Sequence, residues 1–227
     1  MLLVLFDCDG TLVDSQAMIV AAMNRAFASV DMPPPQREDT LAIVGLSLDQ
    51  AIGRLVEPTQ VETVPEIVAA YKRAFRTLRA DPAWHEPLYP GASDVVERLG
   101  HRSDVLLGVA TGKSRRGLEA VLDLHGLRDR FVTLQTADDA PSKPHPEMIM
   151  RALRETGGTP DKCVLIGDTV FDMEMAANAG AARIGVSWGY HPVDALMTAG
   201  AQVVVDRFDQ VTGAIGALFP DMVLREA

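Results

Sequence analysis

This chain is short of basic residues, and the shortage limits its partners. Its 227 residues include 21 Lys and Arg against 31 Asp and Glu, which gives a formal net charge of -10. Proteins bind nucleic acids through clustered Lys and Arg, so we expect no nucleic-acid partner. A small anionic substrate stays open if positive charge is placed locally at its site.

Cysteine is equally scarce. Cys8 and Cys163 are the only two, and both lie in or beside apolar runs, where a free thiol behaves as a small hydrophobe. We predict reduced, unreactive cysteines and a cytoplasmic protein. No spacing of His and Cys suggests zinc, and the glycines form no dinucleotide-binding pattern.

Long hydrophobic runs are also missing. No apolar stretch approaches the ~20 residues that span a bilayer, so we expect no membrane association. The apolar run at the start is short, lacks a basic leader and is followed at once by charge, unlike a signal peptide. With 48% hydrophobic residues, the chain can still build the core of a globular protein.

The helical and strand patterns divide the chain into two parts. Residues 15–87 are predicted to be helical, with breaks at Pro33–Pro35, near Gly45 and at Glu57–Pro58. Thr59 and Glu62 have the spacing of a capping box for the last of these helices. After Pro90 strands alternate with helices, and such alternation predicts parallel pairing under helices on both faces. The predicted strands near Phe131–Leu134 and around "VLLGVAT", "CVLIGD", "ARIGVS" and "QVVVD" belong to this part.

The first strand, Leu2–Phe6, is too apolar to stand without a sheet. We therefore predict a doubly wound, Rossmann-like parallel α/β core formed by residues 1–14 and 88–227. The helical segment 15–87 is then an inserted cap domain. In such sheets ligands bind beyond the carboxyl ends of the strands.

Two acids end the first strand, in "LLVLFDCDGTLVDS". Residues i and i+2 of a strand point the same way, so Asp7 and Asp9 are predicted to face one small space. Two anions at the end of a buried strand are costly unless a cation or a shared proton compensates. Thr111 and Asp168 also stand at predicted strand ends, so a site at this edge of the sheet is expected.

Four ordered motifs carry a family resemblance. They are "DCDGTLVDS" at 7–15, "ATG" at 110–112, "SKPHP" at 142–146 and "GDTVFDMEMAANAG" at 167–180. In order and spacing they resemble those of the haloacid dehalogenase-like hydrolases, and the helical insert is similar to the small cap of the phosphoglycolate phosphatase and beta-phosphoglucomutase branch. The resemblance covers essentially the whole chain and implies a phosphatase.

A carboxylate can attack phosphorus and form an aspartyl phosphate, which divides one hard hydrolysis into two easier steps. Asp7 is the expected nucleophile because it ends a rigid strand. Asp9 is the expected general acid and base, and the resemblance implies that its backbone carbonyl also binds the metal. Asp168 and Asp172 with Asp7 offer the hard oxygen ligands of Mg²⁺, Asp172 as a ligand or as an orienting neighbour.

Three further residues are expected to hold the phosphoryl group. The Thr111 hydroxyl and the Gly112 amide can bind its oxygens, and Lys143, in a loop stiffened by Pro141 and Pro146, supplies positive charge to the acids. For Lys113 a solvent-facing position is as open as a role in the site. His191 is expected to be structural, with the rim of the site as the alternative.

Two enzymatic alternatives stay open. A metal-independent dehalogenase resembles this fold, but Asp9, Asp168 and Asp172 argue against it. A phosphomutase of the beta-phosphoglucomutase type is the other. Its cap has an arginine and a histidine where this chain has Leu48 and Ile19, and these departures count against it.

Two more relatives are disfavoured. Phosphonoacetaldehyde hydrolase uses a cap lysine as a Schiff-base nucleophile, and no lysine precedes Lys72 in the cap. A non-catalytic binding module is hard to reconcile with an intact set of catalytic acids. The expected partner is a small phosphorylated metabolite whose identity, like the oligomeric state, the sequence does not specify.

Overall fold

A six-stranded parallel sheet forms the centre of the protein in the computed structural model, which describes residues 1–221. Its strands are β1 (Leu2–Phe6), β2 (Val105–Thr111), β3 (Thr133–Thr136), β4 (Cys163–Gly167), β5 (Ala182–Val186) and β6 (Val203–Val205). They lie in the order β3-β2-β1-β4-β5-β6, and every neighbouring pair is parallel. The predicted doubly wound α/β fold is confirmed.

Helices cover both faces of this sheet. Their bounds are α5 (Ala92–Gly100), α6 (Arg115–Leu124), α7 (Glu147–Thr156), α8 (Val170–Ala179), α9 (Val193–Thr198) and α10 (Val211–Leu218). Leu2, Val4 and Phe6 pack with α5, α6 and α10, whereas Leu3 and Leu5 pack with α7 and α8. Because both faces of β1 are buried, its sequence is apolar without alternation.

The inserted segment between β1 and α5 is entirely helical apart from loops and two isolated bridges. It contains α1 (Gln16–Ala28), α2 (Arg37–Ala42), α3 (Leu48–Gly53) and α4 (Val64–Arg79). Helices α1 and α4 pack along each other, and the segment has a core of its own that includes Phe27, Ile52 and Ile67. Phe171 of α8 joins this core, so the insert lies against the sheet domain at that helix.

Two local predictions were wrong. Thr59 and Glu62 lie in a 3₁₀ helix, Pro58–Thr63, without a side-chain cap, and α4 begins at Val64. Proline lacks an N–H and suits the first turn of a helix, so Pro58 and Pro65 start two separate helices here.

The third strand begins at Thr133 and not at Phe131. Thr133 and Gln135 are buried polar residues that both donate to Glu155 Oε2, at 2.5 and 2.8 Å. A strand whose inward residues are polar lacks the apolar pattern that marked the other strands, and this hid its bounds.

The division into a core (1–14 and 88–227) and a cap (15–87) stays a prediction, and its last residues, 222–227, lie outside the described part of the chain. Within residues 1–221, no helix combines the length and apolarity that crossing a bilayer requires.

Candidate active site

Asp7 and Asp168 stand where the strand order of the sheet reverses. Strand β1 lies between β2 and β4, and the Asp7 amide donates to Ile166 O at 2.9 Å, one residue beyond β1 itself. Asp168 directly follows β4. The predicted placement at a strand end, at the switch point where ligands bind in such sheets, is found for both acids.

A tight turn after β1 holds Asp168 in place. Gly10 has a φ of +88°, and a Cβ there would lie 2.2 Å from Asp168 Oδ2, so only glycine fits. Thr11 Oγ1 donates to Asp168 Oδ1 at 2.8 Å, and the Tyr190 amide donates to Oδ2 at 2.9 Å. Both oxygens of this carboxylate are therefore oriented by the chain.

Lys143 is fully buried between two carboxylates. Its Nζ donates to Asp7 Oδ1 at 2.7 Å and to Asp172 Oδ1 at 2.6 Å. The second oxygen of Asp172 accepts from the Thr169 hydroxyl at 2.6 Å and from the Thr169 amide at 3.1 Å, and the amide bond makes Asp172 part of the capping box of α8. Asp172 thus orients Lys143 with one oxygen and caps α8 with the other. We call Asp7, Lys143, Asp168 and Asp172 the Lys143 cluster.

The Lys143 cluster carries three acids and one lysine. Burial raises the pKa of Asp7 to about 6, against the opposing attraction of Lys143. Burial also raises the pKa of Asp168 well above its usual value, and the charges of Asp7 and Asp172 add to the rise. Burial alone would lower the pKa of Lys143, but the two carboxylates outweigh it and raise that pKa. The cluster is short of positive charge.

The residues of the Lys143 cluster fit a divalent cation. Asp7, Asp168 and Asp172 each present a carboxylate oxygen, and these oxygens all lie within 4.8 Å of one another. Asp7 Oδ2 is buried without a hydrogen-bond partner among residues 1–221. An unpaired buried carboxylate oxygen beside two further acids is the donor set that a hard cation such as Mg²⁺ uses.

Asp9 takes part in a different cluster. Its Oδ1 accepts from the Ser15 hydroxyl at 2.6 Å and from Lys113 Nζ at 2.7 Å. Lys113 also donates to Glu86 Oε1 at 3.0 Å, and Arg79 donates to Glu86 Oε2 at 2.6 Å through Nη2. We call Lys113, Asp9, Glu86 and Arg79 the Lys113 cluster. The side chain of Asp9 lies outside the group of acids that could share a cation.

The Lys113 cluster was largely missed from the sequence. Lys113 follows the "ATG" motif directly, so its place beside the site could have been inferred. For Arg79 and Glu86 no local pattern exists, since they reach the site from the end of α4 and the segment after it. Burial alone would lower the pKa of Lys113, but Asp9 and Glu86 raise it.

Thr111 and Gly112 form the neighbouring edge of the site. Thr111 ends β2, is buried, and accepts a hydrogen bond at Oγ1 from the Lys113 amide at 3.3 Å. A Cβ on Gly112 would lie 2.5 Å from Leu46 O and 2.6 Å from Gly45 O. Glycine at 112 therefore lets the inserted segment lie directly on the loop after β2.

His191 lies in the loop after β5 and bonds to backbone on two sides. Its Nδ1 accepts from the Val170 amide at 3.2 Å, and its Nε2 lies 3.1 Å from Ala42 O. These contacts join the loop to α8 and to the end of α2, which is the structural role predicted for it.

A cavity of about 420 Å³ opens between the inserted segment and the strand ends. Asp7, Asp9 and Thr111 line its floor, and side chains from α1, α3 and α4 line its walls. Its volume lies within the ~300–1,000 Å³ of small-molecule sites. Asp7 and Asp9 face one space as predicted, although each is bound to a different lysine.

Comparison with known proteins agrees with this geometry. The family model for haloacid dehalogenase-like hydrolases matches residues 4–186. "Probable phosphatase IndB" of Dickeya dadantii (strain 3937) is 38% identical over 218 residues, which cover 95% of this chain and 94% of that protein. The "Phosphoglycolate phosphatase" of Agrobacterium fabrum (strain C58 / ATCC 33970) is 30% identical over 216 residues, with 94% and 91% covered.

The fold has solved counterparts. A crystal structure titled as a predicted phosphatase from Clostridium acetobutylicum aligns with a TM-score of 0.82 and 24% identity, covering 94% of this chain and 97% of that one. The family match spans most of the chain, and the strand-end acids lie where the four motifs predicted them. This chain belongs to the haloacid dehalogenase-like hydrolases.

Proposed function

We propose that this hydrolase is a Mg²⁺-dependent phosphatase that acts on a small, soluble phosphomonoester through an aspartyl phosphate on Asp7. The Lys143 cluster carries the proposal, because three buried acids lie together with one lysine, which pairs with Asp7 and Asp172 only, and Asp7 Oδ2 has no partner among residues 1–221. Its relatives named as phosphatases support the same reaction.

Asp7 is the proposed nucleophile. Lys143 fixes Oδ1, and the pairing of the Asp7 amide with β4 fixes the backbone, so the free oxygen has a defined position. A carboxylate oxygen of Asp7 forms a bond to phosphorus while the bond from phosphorus to the alcohol oxygen breaks. Water then attacks the same phosphorus and releases phosphate and the free carboxylate.

Asp7 and Asp168 would hold Mg²⁺, with Asp172 as a ligand or as the residue that orients Lys143, and with the Asp9 backbone carbonyl as a further ligand. The ion, when bound, would neutralise phosphoryl charge so that an anionic carboxylate can approach. Thr11 and the Tyr190 amide keep the Asp168 carboxylate aimed into the cluster.

Asp9 is the proposed general acid and base. Its Oδ1 already accepts two hydrogen bonds, from Ser15 and Lys113, so a proton to be donated would sit on the other oxygen. That oxygen would protonate the leaving alkoxide and later take a proton from the attacking water.

Thr111, Gly112 and Lys143 are the proposed phosphoryl-binding groups. Thr111 and Gly112 line the cavity beside Asp7, and Lys143 donates to Asp7 itself. Hydroxyl, amide and ammonium donors aimed at one point suit the negative charge that builds up in phosphoryl transfer.

We also infer a cytoplasmic setting. Both cysteines are free and buried, and burial raises the pKa of Cys8 well above its usual value, so neither thiol is poised to form a disulfide.

Release of phosphate from a panel of phosphomonoesters tests the proposal. We expect turnover with Mg²⁺, none after a chelator strips the metal, and recovery when Mg²⁺ is restored. Ca²⁺ should support less activity, because its looser coordination misplaces the attacking oxygen. Full release of phosphate in chelator would refute the metal dependence. Release of halide from a 2-haloacid without metal would favour dehalogenase chemistry, and hexose phosphate isomerisation primed by a bisphosphate would favour a mutase.

A further inference from the structure

We propose that the alcohol part of the substrate carries an apolar ring, which binds in the cavity between α1, α3, α4 and the strand ends. This inference rests on the proposed function and narrows its substrate class. It concerns the group that leaves with the alcohol oxygen, and not the phosphoryl group itself.

The cavity is continuous with the reacting residues. Asp7, Asp9 and Thr111 line it, so an ester whose phosphorus lies beside Asp7 would direct its alcohol part toward the inserted segment. Its volume of about 420 Å³ exceeds what a phosphoryl group alone would fill. The remaining space must therefore hold the alcohol part of the ester, and its walls decide which alcohols fit.

Those walls are apolar. Three helices and the loop before α3 contribute side chains that include Ile19, Met23, Leu46, Leu48, Val68 and Phe75. Binding becomes more favourable by ~25 cal/mol for each Å² of apolar surface that an apolar ligand group removes from water. A small, charged alcohol such as glycolate would leave this surface facing water and bring its own carboxylate into an apolar wall.

Two aromatic rings point to a ring as the occupant. Tyr71 and Phe75 are four residues apart on α4, with ring centroids 5.7 Å apart and planes tilted by 35°. Lys113 Nζ and the Arg79 guanidinium each lie 5.1 Å from the centre of Phe75, which fixes that ring. A pre-positioned aromatic pair favours a flat ligand ring by offset or edge contacts.

The exposed charged residues of the cavity lining are positive on balance. Lys72, Arg76 and Arg116 outnumber Asp49 and Asp138 there, in a chain whose net charge is -10. Local positive charge attracts an anionic ester that the rest of the surface would repel. The cavity thus combines a small excess of exposed positive charge, an apolar wall and an acidic floor, which suits a ring-bearing phosphomonoester.

Benzyl phosphate and ethyl phosphate form the test pair, because both release a primary alkoxide and differ by the ring. With Mg²⁺ present, we expect kcat/KM to be at least about 30-fold higher for benzyl phosphate, mainly through KM. Phosphoglycolate should resemble ethyl phosphate. Equal values, or a preference for phosphoglycolate, would overturn the inference.

Leu48→Asn locates the ring. It makes one wall polar without adding charge, and the benzyl-to-ethyl ratio should fall by about fivefold or more. Val61→Asn is the matched control, because Val61 is exposed on the same inserted segment and lies outside the cavity lining. An unchanged ratio in Leu48→Asn would show that the ring binds elsewhere and overturn the assignment.

Calorimetry with non-hydrolysable phosphonates separates this inference from the proposed reaction. Benzylphosphonate should bind at least about tenfold more tightly than ethylphosphonate. If no ester is hydrolysed but this difference holds, the proposed reaction fails and the ring site stands. If both phosphonates bind equally, the ring site is wrong whatever the catalytic result.

Discussion

Two lysines are each held between two carboxylates in this protein, and the clusters differ in charge balance. Lys143 donates to Asp7 and Asp172, and Lys113 donates to Asp9 and Glu86, all at 2.6–3.0 Å. The Lys143 cluster adds a third acid, Asp168, whereas the Lys113 cluster adds a second cation, Arg79. Formal charge is therefore -2 in the first and zero in the second.

This difference separates two uses of buried charge. In a cluster with equal numbers of acids and cations, the charges compensate one another. Such a cluster can fix the position of a residue such as Asp9 without a ligand. A cluster short of positive charge is costly by itself and is compensated when a cation binds. Charge balance therefore distinguishes the proposed metal site from the neighbouring cluster better than the number of acids does, since both contain buried carboxylates.

The largest effect is expected for Asp7→Asn, which removes the proposed nucleophile. Turnover should fall by at least ~10⁴-fold, since an amide is a far poorer nucleophile and a weaker metal ligand. Circular dichroism should show unchanged folding. Asp14→Asn, the same chemical change outside both clusters, is the matched control and should keep most activity. Substantial turnover by Asp7→Asn that is free of deamidated protein would refute the assignment.

Replacing each lysine by methionine compares the two clusters directly. Lys143→Met leaves three buried acids without a cation, whereas Lys113→Met leaves Asp9 and Glu86 with Arg79. In chelator, we expect urea unfolding to show a loss of about 3–5 kcal/mol for Lys143→Met and clearly less for Lys113→Met. An equal loss in both variants would show that charge balance does not separate the clusters.

Asp9→Asn tests whether the Lys113 cluster serves catalysis. Hydrolysis of an alkyl phosphate should slow by about 10²–10⁴-fold, but nitrophenyl phosphate much less, because a good leaving group needs no proton. The ratio of the two rates is the quantity to measure. If Asp9→Asn leaves that ratio unchanged, Asp9 is not the general acid, and Asp7 can still be the nucleophile.

The two clusters differ in how many of their residues could be predicted from the sequence. Asp7, Thr111 and Asp168 each follow an apolar strand, and parallel strands bring their carboxyl ends together, so that edge was predictable. Arg79 and Glu86 come from the end of a helix and a loop, where no period or motif marks them. Their position depends on how the inserted segment lies against the sheet, a tertiary contact outside any local pattern.

The same contrast holds for the fold. The apolar strands β1, β2 and β4 were placed within a residue or two because burial on both faces leaves a continuous apolar run. Strand β3 was displaced because the Thr133 and Gln135 side chains are satisfied by Glu155 inside the structure. A strand whose buried side chains are polar and bonded to a distant residue cannot be located from its hydrophobic pattern.

The smallest expected effect is a gain in stability from Asp168→Asn in the metal-free protein. Asparagine keeps the shape, its oxygen can accept from the Tyr190 amide, and its NH₂ can donate to Thr11. We expect about 1 kcal/mol, or a few degrees in Tm, by thermal unfolding in chelator. Added Mg²⁺ should raise the Tm of wild type more than that of the variant.

The stability gain of Asp168→Asn is expected to depend on pH. The folded pKa of Asp168 is raised, so folded wild type keeps its proton as pH rises past the unfolded value near 3.8. Wild type then loses the stability that protonated Asp168 contributes as pH rises toward the folded pKa, and the asparagine variant has no such contribution to lose. Its advantage should therefore grow with pH in that window. A constant advantage would mean that charge at Asp168 is not its cause.

Trapping the phosphoryl group on Asp7 is the most direct test of the central claim, that the charge-deficient Lys143 cluster performs the chemistry. Turnover with Mg²⁺ would be quenched in acid after milliseconds, and peptides would be mapped by mass spectrometry. We predict one added phosphoryl group on the peptide containing Asp7, absent in chelator and in Asp7→Asn. Steady release of phosphate with no added mass on that peptide at any quench time would contradict the account.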